Sequence, residues 1–502
     1  MTISAHDALV LLALLVVSAG SLVLAVVLRI AYPILLVLAG ILLALIPGLP
    51  HPDLDPQIVL IGILPPLLYS TAFYTSVREL RRNFRSIASL SIGLVIATMV
   101  AVGAVAHALI PGMSWSTAFV LGAVVAPTDP LAATAIAERV GLPRGIVAVI
   151  EGEGLLNDST ALVLYRFAVV AVVTGAFSLG HATLKFFISV VGGIAVGLAV
   201  GFVIRQVRRR IDHSPTEIAI ALMSGYLAFL PAEALDVSAV LAAVTVGLYM
   251  GWYTPELTNA RTRLQGEAFW EIVTFVLNAT LFTLVGLELR PIVEGIANRS
   301  TGDLALWAAV VSLTVIATRA AWSWTAANLQ WRILPLIRDR ERMPTSAALT
   351  VITWSGMRGA ITLAAALALP RATDGGSPFP QRNLIIFLAF SVIVVTLVVQ
   401  GLTLPPLVRA LHLPADPREQ EEEALAWVRA AEAGLARLEE LHEEPWVDPG
   451  VVERLRDTFG LRVAQYSARR DGEKDVKLEK HVRASRRLRR ELDFEDARLG
   501  GG

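Results

Sequence analysis

The feature that most constrains this chain is a long series of apolar runs, each long enough to cross a lipid bilayer. Windows of about 20 residues, the length of a membrane-spanning helix, locate thirteen runs in the 502-residue sequence. Charged residues make up only 17% of the chain, whereas a soluble chain carries about a quarter. The sequence therefore predicts an all-α polytopic membrane protein. Its predicted spans are residues 8–28, 31–47, 57–76, 87–110, 115–138, 146–175, 183–204, 216–234, 237–254, 268–288, 303–328, 345–369 and 383–409.

The charged residues are concentrated at the end of the chain. Of the 86 Asp, Glu, Lys and Arg residues, 38 follow Leu411. We therefore expect a transmembrane domain over 1–411 and a soluble helical tail over 412–502, interrupted by the Pro- and Gly-containing segment 444–450. The absence of cysteine excludes disulfides and thiol chemistry, and the net charge of zero gives no reason to expect nucleic acid.

Arginine is unevenly distributed between the two sets of alternate loops. One set holds seventeen arginines, and the other holds only Arg290, Arg299, Arg371 and Arg382. Because short arginine-rich loops remain in the cytoplasm, we expect the N-terminus to lie outside and the tail to lie in the cytoplasm.

Two predicted spans contain residues that interrupt a helix. In the fifth, Pro127 and Pro130 remove amide donors, and Asp129 before a proline is typical of the N-cap of a second half-helix. Asp129 is therefore a cap, with or without an additional ion-binding role. In the twelfth, Arg358 stands in the run Gly-Met-Arg-Gly. Either these glycines only allow close packing, or the two spans, an odd number apart, are inverted repeats whose broken helices cross near the midplane.

The sixth span carries an ionisable residue near the middle of the bilayer. Asp158 lies about 18 Å from the inner end of that span, and Thr128 of the broken fifth span reaches a similar depth. A carboxylate beside unpaired backbone carbonyls is suited to bind a small cation, with Gly154 leaving room for the ion or a water. The alternative for Asp158 is a structural contact between helices.

Depth also indicates which charged groups can pair. Glu153 and Arg319 lie about 11 Å and 14 Å from the inner ends of their spans, whereas Arg358 lies deeper, close to the predicted crossing. An ion pair between Glu153 and Arg319 would leave Asp158 as the carboxylate that is free to exchange its charge.

Three motifs, in this order, resemble those of the bacterial sodium/proton antiporters of the monovalent cation:proton antiporter superfamily, relatives of the sodium/hydrogen exchangers. They are Pro127-Thr-Asp-Pro130, Glu151-Gly-Glu-Gly-Leu-Leu-Asn-Asp-Ser-Thr-Ala161 and Trp354-Ser-Gly-Met-Arg-Gly359. The resemblance covers about residues 8–411. It implies a homodimer in the bacterial inner membrane, with the ion site at Asn157 and Asp158. It also implies that Thr128 contributes to this ion site and that an ion pair of Glu153 with Arg319 or Arg358 supports it.

The chain departs from the family pattern at two positions. Ser70 stands where many prokaryotic relatives have a carboxylate, and Gly154 stands where serine is frequent. Both changes remove oxygen ligands from the possible lining of the site. The cation would then be coordinated by Asp158, Thr128, backbone carbonyls and water.

The functional prediction is exchange of a monovalent cation, sodium or else lithium or potassium, for a proton by alternating access. Because Asn157 cannot titrate and Glu153 is paired, we expect an electroneutral, one-for-one exchange. The alternative is a passive cation channel, which could use the same buried carboxylate. No enzymatic activity and no cofactor are expected. Two glycine stripes, 193–201 and 247–251, are expected to serve packing within one protomer more than the dimer contact.

Overall fold

The protein is built from helices throughout the part of the chain that the computed structural model describes. Those residues are 19–21, 23–25, 27–28, 30–46, 58–175, 179–296, 298–333, 345–413, 417–442, 444 and 446–470. The contacts between residues divide the chain into two compact units, Met1–Leu413 and Pro414–Gly502.

The first unit begins with helices that match predicted spans two to seven. Short interruptions at capping residues and prolines separate successive segments, and the Asp129 side chain caps one of them. The helices are α1 Tyr32–Ala44, α2 Leu64–Tyr74, α3 Val77–Arg82, α4 Phe84–Ala88, α5 Val95–Leu109, α6 Trp115–Val125, α7 Pro130–Val140, α8 Arg144–Thr174 and α9 Leu179–Arg208.

The rest of the first unit follows the same pattern over predicted spans eight to thirteen. Its helices are α10 Ser214–Ala234, α11 Ala239–Leu257, α12 Ala260–Leu287, α13 Leu289–Glu294, α14 Thr301–Ile333, α15 Ser346–Trp354, α16 Ala360–Leu367, α17 Arg382–Val395 and α18 Gly401–Leu411. Three π-helical turns, Ile58–Ile63, Ser89–Leu94 and Thr396–Gln400, adjoin α2, α5 and α18.

Eight described helical segments are long and apolar enough to cross a membrane, and two shorter apolar helices, Tyr32–Ala44 and Ile61–Tyr74, accompany them. This confirms the predicted all-α polytopic fold. Most of the first predicted span, 8–28, lies outside the described residues, so the count of thirteen stays a prediction.

Glycines allow several of these helices to pack closely. A Cβ atom at Gly193 or Gly197 of α9 would lie 2.5 Å or 2.6 Å from a carbonyl oxygen at the start of α11. A Cβ atom at Gly247 of α11 would lie 2.7 Å from the Tyr69 carbonyl oxygen of α2. Both stripes therefore serve packing within the chain, as the sequence predicts.

The buried side chains form two principal clusters. One joins α1, α5, α6, α7 and the broken helix pair α15 and α16 with α17, and the other joins α2 with α9, α10 and α11. Helix α8 contributes Ile150 to the first cluster and Leu155 to the second. The helix that carries Asp158 therefore lies at the junction of the two clusters.

The second unit contains two helices, α19 Pro417–His442 and α20 Pro449–Arg470, which pack against each other. The rings of Trp427 and Tyr466 stack with centroids 5.5 Å apart. The predicted break at 444–450 overlaps the gap between the two helices, and α20 begins inside it, at Pro449.

Candidate ion-binding site

The fifth predicted span is broken at the predicted position. Helix α6 ends at Val125 and α7 begins at Pro130, and the Asp129 carboxylate accepts the Leu131 N–H at 2.9 Å. Asp129 is therefore the N-cap of α7, and its negative charge also lies at the positive end of that helix.

The twelfth predicted span is broken as well, and the two breaks meet. Helix α15 ends at Trp354 and α16 begins at Ala360. The Asp129 N–H donates to the Met357 carbonyl at 2.8 Å, which joins the two interrupted segments directly. A Cβ atom at Gly359 would overlap the Asp129 carboxylate, so the glycine is needed for this crossing and not only for general packing.

Arg358 lies completely buried at the crossing. Its Nε donates to the Val125 carbonyl at 3.2 Å, and its Nη1 donates to the Gly356 carbonyl. The guanidinium thus satisfies a carbonyl at the C-terminal end of α6 and offsets the negative end of that helix. Arg358 does not pair with Glu153.

Glu153 pairs with Arg319. From the sequence, Arg319 and Arg358 were alternative partners for this carboxylate. The guanidinium uses Nη1 and Nη2 on the two carboxylate oxygens, with Nη2 to Oε2 at 2.8 Å. Arg319 Nε also donates to the Thr353 carbonyl at 3.0 Å, beside the break after α15. The pair therefore connects α8, α14 and α15.

A chain of hydrogen bonds leads from this ion pair to the residue beside Asp158. The Thr128 hydroxyl donates to Glu153 Oε1 at 2.9 Å and accepts from Asn157 Nδ2 at 2.6 Å. Asn157 Nδ2 also lies 3.2 Å from the Thr128 carbonyl oxygen. Because Asn157 Nδ2 contacts both the hydroxyl and the carbonyl of Thr128, the Asn157 side chain fixes α8 against the broken fifth span.

Asp158 is different, because its carboxylate has no hydrogen-bond or ion-pair partner among the described residues. The side chain is 3% exposed and lines a cavity of about 50 Å³. The cavity wall includes both broken segments, one face of α2 and one residue of α12. Its polar and small lining residues are Thr71, Pro127, Thr128, Asp129, Pro130, Gly154, Gly359 and Thr362.

Of the two residues expected as possible lining, Ser70 does not line the cavity and Gly154 does. The Ser70 hydroxyl donates to the Leu67 carbonyl at 2.9 Å, and Ser70 does not line the cavity, because the lining face of α2 carries Leu64, Leu67, Leu68 and Thr71. Gly154 does line the cavity, but a Cβ atom there would lie 2.4 Å from the Pro130 ring. Its missing side chain therefore makes room for Pro130 more than for an ion.

Thr71 and Thr362 are polar lining residues that the sequence analysis did not identify. The first of them, Thr71, belongs to α2. It lies seven residues after Leu64 on the same helical face, a spacing that could have identified it once α2 was placed against Asp158. Among the described residues no cluster of three or more Asp, Glu or His side chains could hold a metal ion. The cavity wall carries the carboxylates of Asp129 and Asp158 and the threonines Thr71, Thr128 and Thr362.

Known proteins resemble this chain over the helices that build the cavity. Residues 10–410 match the family model described as the transmembrane sodium/hydrogen exchanger. A Na⁺/H⁺ exchanger of Mycobacterium tuberculosis is 42% identical over 438 residues, which cover 86% of this chain and 80% of that protein. A sodium, potassium, lithium and rubidium/H⁺ antiporter of Bacillus subtilis is 33% identical, over 74% of this chain and 57% of that protein.

A solved structure shows the same fold. The sodium/proton antiporter of Methanocaldococcus jannaschii superimposes with a TM-score of 0.65 at 17% identity, over 82% of this chain and 99% of that one. The family model and the curated relatives favour exchange over the alternative of a passive channel, and they identify a transporter family. This chain belongs to the sodium/hydrogen exchanger family.

Proposed function

We propose that the protein exchanges one alkali cation for one proton at Asp158. The observation that carries this proposal is the buried, unpartnered carboxylate in a cavity between two broken helices. An ionised carboxylate in the membrane interior is costly. Binding either a proton or a cation removes that cost, so the two compete for one position, and alternating access carries whichever is bound.

The cation ligands in this proposal are Asp158, Thr128, backbone carbonyls of the breaks and water, with Asn157 fixing their position. Asp129 stays a helix cap, and Glu153 stays paired with Arg319, so neither changes its charge. Each half-cycle then carries the same net charge, and the exchange is electroneutral. Sodium is the favoured ion, and the name of the Bacillus subtilis relative supports testing potassium and lithium as well.

The decisive test uses purified protein in proteoliposomes with a pH-sensitive dye inside. We expect Asp158→Asn to abolish sodium-driven proton movement, whereas Asp303→Asn, at the outer end of α14, should leave it unchanged. Coupled exchange by Asp158→Asn would refute the site. An imposed membrane potential should leave the rate nearly unchanged, and strong voltage dependence would contradict the one-for-one stoichiometry.

We also infer a homodimer in the bacterial inner membrane, with the N-terminus outside and the 412–502 tail in the cytoplasm. The arginine bias of the loops supports this orientation. Because both glycine stripes pack within one chain, we place the dimer contact on other residues. Mass measurement in mild detergent tests the dimer, and a stable, active monomer would refute it.

A further inference from the structure

The two sides of the Asp158 cavity differ in chemistry. On one side the cavity adjoins a second, smaller one of about 10 Å³, which shares Leu281 and Ala360 with the first. The remaining wall of this second cavity carries only apolar side chains: Val59, Leu284, Val285, Leu363, Ala364 and Leu367. A hydrated cation gains no ligand there, so this side is a barrier to ions in the conformation observed.

The other side carries oxygen atoms. Thr71 lines the cavity, and Thr75 follows it one turn later, just past the end of α2. The Thr75 hydroxyl donates to the Thr71 carbonyl at 2.6 Å and reaches Glu151 Oε2 at 3.5 Å. Thr75 is buried, whereas Glu151 is half-exposed. A line of oxygens therefore runs from the cavity to a partly solvated carboxylate.

Helix geometry places Glu151 on the side of α8 that carries Asp158. The two residues are seven positions apart, so they differ by only about 20° around the helix axis and by about 10 Å along it. Gly154 lies between them and lines the cavity. Glu151 thus lies at the mouth of the contact between α2 and α8, toward the arginine-rich segments 78–85 and 139–144.

We propose that Glu151 is the access carboxylate of the transport site, which attracts alkali cations to the mouth and passes them along the Thr75 and Thr71 oxygens to Asp158. This inference rests on the proposed function of Asp158. The adjoining segments 78–85 and 139–144 carry arginines, whose charge repels cations, so a carboxylate at this mouth raises the local cation concentration. It acts on the approach of the ion and not on the exchange itself.

The test separates the two kinds of effect. In inside-out vesicles, Glu151→Gln should raise the sodium concentration at half-maximal rate about three- to fivefold, the effect of one unit charge at about 10 Å in a partly solvated site. The maximal rate should change less than twofold. Adding choline chloride should reduce the difference from the wild type, because salt screens a charge of this kind.

Matched variants exclude a general effect of charge or folding. Glu256→Gln removes an exposed carboxylate that pairs with Arg205 at 3.4 Å, and it should leave the half-maximal sodium concentration unchanged. Thr75→Val should shift it in the same direction as Glu151→Gln, and Glu151→Asp should restore most of the wild-type value. An unchanged half-maximal concentration in Glu151→Gln, or a loss confined to the maximal rate, would overturn the proposal. Asp158→Asn in the same vesicles reports separately on the transport site.

Discussion

Two arginine–glutamate pairs are buried in the described part of the first unit, and they are equally shielded from solvent. The side chains of Arg319 and Glu153 are 1% and 2% exposed, and those of Arg208 and Glu217 are 4% and 2% exposed. The first pair lies beside the candidate ion-binding site and is linked to it by the Thr128 hydroxyl. The second joins the end of α9 to the first turn of α10, across a short loop.

Their hydrogen bonding distinguishes them. Arg319 uses both terminal nitrogens on Glu153, and it donates further to the carbonyls of Ile352 and Thr353. Arg208 donates only through Nη2, to Glu217 at 3.0 Å, and its Nε and Nη1 have no partner among the described residues. The two pairs are equally buried, but they do not stabilise the fold equally. A buried ion pair offsets its desolvation cost only when the other hydrogen-bonding groups of its side chains are also satisfied.

The largest effect is expected when the first pair is broken. Arg319→Met leaves the Glu153 charge buried and removes the donors for the Ile352 and Thr353 carbonyls. We expect a loss of about 3–5 kcal/mol in the free energy of unfolding. The loss should be visible as a large fall in the melting temperature of the protein in detergent.

The double variant Glu153→Leu/Arg319→Met sharpens this result. This variant removes the buried charge of Glu153. The carbonyls of Ile352 and Thr353 and the Thr128 hydroxyl, however, still lose their hydrogen-bond partners. It should therefore stay well below the wild type in stability. A melting temperature equal to that of the wild type would show that the carbonyl contacts contribute nothing.

A smaller effect is expected at the second pair. Arg208→Met leaves the Glu217 carboxylate buried without its charged partner, but it also removes two buried N–H groups that lack partners. We therefore expect a loss of about 2 kcal/mol, the size of one charged hydrogen bond. Glu217→Leu added to this variant should return the stability to within about 1 kcal/mol of the wild type, because apolar residues often replace a poorly satisfied pair without loss. Thermal melting checks both variants. If Glu217→Leu does not restore the stability lost in Arg208→Met, the two buried pairs do not differ in how they stabilise the fold.

The smallest effect is expected at an exposed cluster in which Arg166 contacts Glu233 and Asp236, and Lys185 contacts Asp236. The hydrogen bond from Lys185 lowers the pKa of Asp236 below its ordinary value of 3.8. Since the Asp236 side chain is 65% exposed, Asp236→Asn should cost less than about 1 kcal/mol at neutral pH.

The sign of the pH dependence follows from that lowered pKa. A carboxyl group whose pKa is lower in the folded state stabilises the fold above its unfolded pKa and loses this contribution as the pH falls through the folded value. The difference between the wild type and Asp236→Asn should therefore decrease below pH 3.8. Melting curves at several pH values check this, and a difference that grows on acidification would contradict it.

The sequence predicts the breaks, the capping role of Asp129 and the reach of Glu153 to Arg319, because proline, capping residues and depth along a helix are local properties. It does not distinguish Ser70 from Thr71, because one residue turns a side chain by about 100° around the helix, and both lie in an apolar run. It also gives no sign that Pro130 fills the space beside Gly154. That contact depends on how two helices approach each other, which neither segment encodes alone.

The crossing of the two breaks has a consequence for how such a sequence can change over generations. The Asp129 N–H is bound to the Met357 carbonyl, and the Asp129 carboxylate occupies the space that a side chain at 359 would need. A mutation that adds even a methyl group at Gly359 is therefore tolerated only after residue 129 has become smaller or has moved. Positions 129 and 359 are 230 residues apart in the sequence, yet a substitution at one of them determines which substitutions the other can accept. The order in which the two positions change during evolution is therefore restricted.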